Sequence, residues 1–129
     1  MSSTSAELLT TPTADESSPS TRPFLRFYFS DSLRTKTLAV LTTVEQAKDS
    51  TRHRNALADL VTELTNSGMD YYFLRPLRLA KVGFIVEQSA NVGMAGVTRL
   101  LGSVIYNVIG NMDRSQLATV CSYIRQLME

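Results

Sequence analysis

Apolar residues after Pro23 recur mostly at three- and four-residue steps, the pitch of one face of an α-helix. From Asp31 to Lys48 the stripe is Leu33, Thr37 (through its methyl), Val40, Leu41, Val44 and Ala47. Ser30 or Ser32 supplies the side-chain oxygen that satisfies an orphan N–H at the helix start. Upstream, Phe24, Phe27 and Tyr28 have helical spacing but sit in a Phe-Leu-Arg-Phe-Tyr-Phe run that suits an extended segment equally. A second helix is predicted over 51–67, with Leu57, Leu60, Val61 and Leu64 inward and Asp59 and Glu63 outward. Gly68 follows as the residue that commonly ends a helix in a left-handed conformation.

Asp70 is placed to cap a third helix running from Tyr71 to about Asn91, and Pro76 allows a later start at Arg75. Leu74, Leu77, Leu79, Val82, Phe84, Ile85 and Val86 cover nearly its whole circumference, as in a helix buried on all sides. A strand competes over 76–86, where Leu77-Arg78-Leu79 alternates and β-formers are dense. Gly93 and Gly96 each cost about 1 kcal/mol inside a helix, so a kink or break is expected at 91–96. Beyond it, Val97, Leu100, Leu101, Val104, Ile105 and Val108 form a stripe opposite Arg99, Ser103, Tyr106 and Asn107, closed by Gly110 and Asn111. Asp113 and Gln116 have capping-box spacing. The last helix turns Leu117, Val120, Cys121, Ile124 and Met128 inward.

The pattern therefore predicts an all-α fold: a compact bundle of about five helical segments, whose short connections force neighbours antiparallel. Residues 24–129 read as a single helical domain. Residues 1–23 are mostly Ser, Thr, Pro, Ala and acid, too poor in apolar surface to offset their ordering entropy, and read as a disordered tail. That stretch lacks the basic start and continuous apolar core of a secretory signal, and its three acids fit an organelle transit peptide poorly. Cytoplasmic location is the expectation, compatible with one unpaired cysteine.

Composition narrows the chemistry. The 129 residues are 43% hydrophobic and 19% charged, within the range of globular chains. One Cys and one His cannot build a structural zinc site or a disulfide scaffold, and no cofactor motif occurs. Thirteen basic against twelve acidic residues leave +1; without the tail's three acids and one base the domain carries +3. Neither figure describes the concentrated basic face of a nucleic-acid binder. Ser115–Cys121 suits the first helix of a helix-turn-helix, but the sequence ends at Glu129 before a recognition helix could follow. Between Arg99 and Asp113 lie 13 uncharged residues, short of the roughly 20 that cross a bilayer, so no transmembrane span is expected and a buried core helix is.

His53 lies between Arg52 and Arg54, a setting that suits a solvated side chain rather than a general base. Cys121 falls on an apolar stripe and reads as a buried structural thiol. No nucleophile elbow, phosphate loop or metal-binding helix pair occurs, and the expectation leans away from an enzyme. The candidate ligand residues are Tyr71, Arg75, Arg78 and Lys81, which share a helix face, with Arg99. Guanidinium groups bind carboxylate or phosphate through paired hydrogen bonds, so this set suits a small anionic, amphipathic ligand. Gly83, Phe84, Gly93, Met94 and Gly96 are the candidate interface: small residues there, with Ala90, permit close helix approach, within the chain or between two copies. The function expected is a non-catalytic helical binding or regulatory protein acting by protein–protein contact, as a homo-oligomer or with another protein. A small-ligand carrier or sensor with arginine at the pocket mouth is the alternative.

Overall fold

The structure, a computed structural model, describes residues 23–24 and 27–128. The tail expected over 1–23 therefore lies outside the described residues except for Pro23, which is exposed. Residues 27–30 belong to no helix or strand, and Ser30 is extended at φ -67°, ψ 156°. Five α-helices follow: α1 (Asp31–Gln46), α2 (Arg54–Met69), α3 (Arg75–Ala80), α4 (Phe84–Ile109) and α5 (Arg114–Leu127). A 3₁₀ turn, Ser50–His53, precedes α2, and a π-helical segment, Asp70–Leu74, joins α2 to α3. Because α2, the π segment and α3 form one uninterrupted helical run, the all-α fold consists of four rods, with no strand among the described residues.

Local chemistry sets the boundaries. The Ser30 side chain accepts a hydrogen bond from the Leu33 N–H at 3.1 Å and starts α1. The Asp113–Gln116 capping box forms in both directions, at 2.8 and 2.9 Å, and starts α5. Gly68 does not end α2. The helix continues through it while Phe27 lies 4.0 Å from where a Gly68 Cβ would stand, so a missing side chain lets the entry segment close in. Nor does Asp70 cap a new helix: its own N–H bonds back to the Asn66 and Ser67 carbonyls. Pro76 explains the π segment. Inside an α-helix its ring would clash with the carbonyl of residue 72. Widening the preceding turn, so that the Arg75 N–H bonds the Asp70 carbonyl five residues back, keeps the rod intact.

The break comes at Lys81–Gly83, not at 91–96. Lys81 is left-handed at φ 55° and Gly83 has φ 105°, ψ 157°, a region open essentially to glycine alone. Residues 75–80 are thus helix rather than strand, and 71–110 divides into two elements ten residues earlier than the glycine pair suggests. α4 runs unbroken through Gly93 and Gly96 for 26 residues, about 39 Å at 1.5 Å per residue.

The core sits at one end. Leu33, Leu41 and Val44 of α1, Leu57, Ala58 and Leu60 of α2, Ile109 of α4, and Leu117 and Cys121 of α5 are buried together. Thr37 is fully buried among them, its hydroxyl donating to the Leu33 carbonyl at 2.7 Å. Arg54 clamps this end: its Nε and Nη2 both donate to the Met112 carbonyl, at 2.9 and 2.6 Å, tying the start of α2 to the α4–α5 turn. Arg125 on α5 reaches Glu45 on α1 at 2.8 Å. Away from this core, the first half of α4 packs on α2 and the π segment along one flank and is otherwise open.

Candidate functional site

α4 carries two apolar stripes, and only one is covered. Ala90, Met94, Thr98, Leu101, Ile105 and Ile109 are partly or fully buried along the side that meets α2. The second stripe, Val86, Gly93, Val97, Leu100, Val104 and Val108, lies about a quarter-turn away at helical spacing and is exposed throughout. Leu100 is 71% exposed and Val104 57%. Sequence periodicity merged the two sets into one inward stripe. The structure separates them: Leu101 and Ile105 turn in, whereas Val97, Leu100, Val104 and Val108 turn out.

The helix is therefore not a buried core helix. It is long and apolar enough to cross a bilayer by length and composition, with mean hydropathy 1.4 over its most apolar stretch, and only 6% of that stretch is buried. Core helices of globular proteins reach similar apolarity but are mostly covered. The count of 13 uncharged residues after Arg99 missed this, because Arg99 lies within the helix rather than at its end.

The candidate interface residues divide accordingly. Gly93 and Gly96 have nothing within 4 Å of a Cβ built on them, so they make no close helix approach inside this chain. Gly102 does, with Thr62 3.6 Å away. Met94 is half-buried and faces a cleft, while Gly83 and Phe84 sit at the α3–α4 turn, exposed.

The candidate ligand residues do not converge on one pocket. The Tyr71 ring packs with Phe27, Tyr28 and Tyr72 at centroid distances of 6.1, 6.3 and 5.4 Å. The Arg75 guanidinium lies 4.8 Å above that ring. Arg78 meets Asp70 at 3.4 Å, and Lys81 is at the turn. Arg99 stands apart, on a shallow open cleft of about 500 Å³ between the π segment and α4, floored by Met69, Leu74 and Met94. Asp70 lines the same cleft and sets a carboxylate against any anion approaching Arg99. The sequence offered no sign of that acid's position, since Asp70 there reads as a helix cap.

Elsewhere the titratable groups are structural. Burial, with a smaller contribution from the nearby Glu45 carboxylate, pushes the Cys121 thiol up to about 11, so it is protonated and unreactive at neutral pH. Hydrogen bonds from Thr51, and the nearby Arg114 guanidinium, hold the Asp49 carboxyl below its ordinary range. His53 ends the 3₁₀ turn, half-buried. No group of three His, Cys, Asp or Glu side chains suited to a metal ion occurs among the described residues. Compared with family models, curated proteins and solved structures, the chain matches none.

Proposed function

We propose that this protein is a non-catalytic helical binding protein whose partner is a second copy of itself, held along the outer stripe of α4. One observation carries the reading: Val86, Val97, Leu100, Val104 and Val108 line one exposed flank of a helix whose other flank is already packed. Contiguous apolar surface of this kind marks an interaction site. The stripe is also self-complementary. Its first half is sparse, with Val86 and Gly93 seven residues apart, and its second half is dense, with Leu100, Val104 and Val108. Two copies laid antiparallel near Val97 set each dense half against the other's sparse half, as an isologous two-fold contact requires. No charged residue interrupts the stripe, so nothing on it selects an acidic or basic partner.

The test is mass against concentration, by light scattering and sedimentation, for the wild type and Leu100→Glu. A leucine 71% exposed retains about two-thirds of a burial free energy of roughly 1.5–3 kcal/mol, hence about 2–4 kcal/mol for two copies. The substitution therefore weakens association by at least about thirtyfold without altering the monomer's melting. A wild type that stays monomeric at high concentration, or a variant that associates equally well, defeats the reading.

The cleft at Arg99 favours a second reading, a carrier for a small amphipathic acid with its tail over Met69 and Met94. The open shape and the Asp70 carboxylate weigh against it, and Arg99→Gln leaving fatty-acid binding unchanged would end it. In either reading a cytoplasmic location is part of the proposal, with which one unpaired cysteine is compatible.

A further inference from the structure

The turn between α3 and α4 is a separate surface. From Arg75 to Val86 every residue is exposed except Leu77, which is half-buried. Leu79, Phe84 and Ile85 are 76, 77 and 82% exposed, among the most exposed apolar side chains in the described chain, and Val82 stands beside them. Interleaved with them are Arg75, Arg78 and Lys81; Arg78 is paired with Asp70 at 3.4 Å, Arg75 lies over the Tyr71 ring, and Glu87 directly follows the segment. Both turn residues that break the helix, Lys81 and Gly83, hold positive φ, so the apex is a defined bend rather than a frayed end.

We infer that this apex docks on an anionic lipid surface, seating Leu79, Val82, Phe84 and Ile85 below the headgroups while Arg75, Arg78 and Lys81 engage their phosphates. Two features favour lipid over an acidic protein. The apolar residues crown a convex bend, which a bilayer admits but which a protein could cover only with a matching pocket. Their cations also sit on long side chains beside the apolar ones, the arrangement that lets charge remain at headgroup level while the bend enters. Three basic groups supply the attraction to anionic lipid that apolar insertion alone lacks. The inner flank of α4 stays on α2 throughout, so the helix rests at the surface and does not cross.

Cosedimentation of the full chain with phosphatidylcholine vesicles, with and without phosphatidylserine, tests this. Binding is expected to require the anionic lipid and to weaken with added salt. Replacing Arg75, Arg78 and Lys81 together by Gln should lower partitioning about fivefold for each charge without an acidic partner, at least about 25-fold in all. Phe84→Ser with Ile85→Ser should lower it at least about tenfold, with circular dichroism unchanged because both side chains are already in solvent. Leu100→Glu, which addresses self-association, should leave partitioning within about twofold, since antiparallel copies carry their apices at opposite ends. Equal binding to neutral vesicles, or an unaffected triple Gln variant, overturns the inference. So does retention through an alkaline carbonate wash, which would mean that α4 spans the bilayer. Loss of self-association in the Phe84–Ile85 variant, with no vesicle binding by the wild type, would make the apex a protein contact instead.

Discussion

Gly93 and Gly96 allow folding and association to be separated by one pair of substitutions. Both lie inside a continuous helix, both have ordinary helical φ, and neither has an atom within 4 Å of an added Cβ. Alanine at each should therefore stabilise the isolated chain by about 1 kcal/mol, because glycine loses more backbone freedom on entering a helix. For a domain of this size that is roughly 4–8 °C in Tm per substitution, so Gly93→Ala with Gly96→Ala should melt about 8–16 °C higher at a concentration too low for association. Gly83→Ala is the control. It too has nothing within 4 Å, yet its φ of 105° is closed to alanine, and about 1–3 kcal/mol should be lost. The association constant should move the opposite way from stability in the Gly93–Gly96 variant, since the methyl added at Gly93 enters the seam; overpacking of this kind costs about 1–3 kcal/mol. Thermal melts at two concentrations, with sedimentation equilibrium, read both quantities. A lower Tm at dilution would refute the continuous α4, and a higher Tm with tighter association would remove Gly93 from the seam.

The core and its thiol give two further expectations. Leu57→Ala, at a fully buried position, should cost about 2–5 kcal/mol in urea unfolding, whereas Leu79→Ala at the exposed apex should change stability by less than about 0.5 kcal/mol. Cys121 is more weakly acidic folded than unfolded, so its contribution is intact below about pH 9, the ordinary thiol value, and is lost as the pH rises towards 11. Denaturation against pH should show that decline, and Cys121→Ala should remove it; a thiol reagent reacting quickly with the native protein at pH 8 would contradict the burial.

The core end was legible because periodicity and caps there agree. Leu33, Thr37, Leu41 and Val44 are buried as their spacing requires, and Ser30 and Asp113 cap the helices that they precede. The second half of the chain was less legible, for reasons that differ from residue to residue. Periodicity reports which residues share a face; it does not report whether the chain has another element to cover that face. α4 has two apolar stripes, and only the one facing α2 and the π segment is covered, so Leu101 and Leu100 look alike in sequence and part company in the structure. Glycine number misled at 91–96, because two helical glycines cost about 2 kcal/mol, too little to break a 26-residue helix packed along one side. Gly83, a single glycine, marks the true break, since there the conformation rather than the entropy demands it. Pro76 misled in the other direction: it signals an end, and the π segment absorbs it.

These misreadings share a location, and that location is where both proposals lie. At the core end, local preference and tertiary packing point the same way, as in a sequence specified by folding alone. From Gly68 to Leu100, local signals and packing disagree: a proline is carried inside a rod, a lysine is held left-handed, and apolar side chains face solvent. Each carries a cost that the core does not require. Such costs persist where something outside the folded chain recovers them, and an apolar stripe beside an apolar, basic apex offers two surfaces on which that recovery can occur. Covering the stripe with a second copy would bury Leu100 and Val104 but leave Phe84, Ile85 and the three cations at either end of the pair. Self-association therefore accounts for the stripe and not for the apex, which is why the apex is assigned a separate, charged and deformable partner in the lipid proposal.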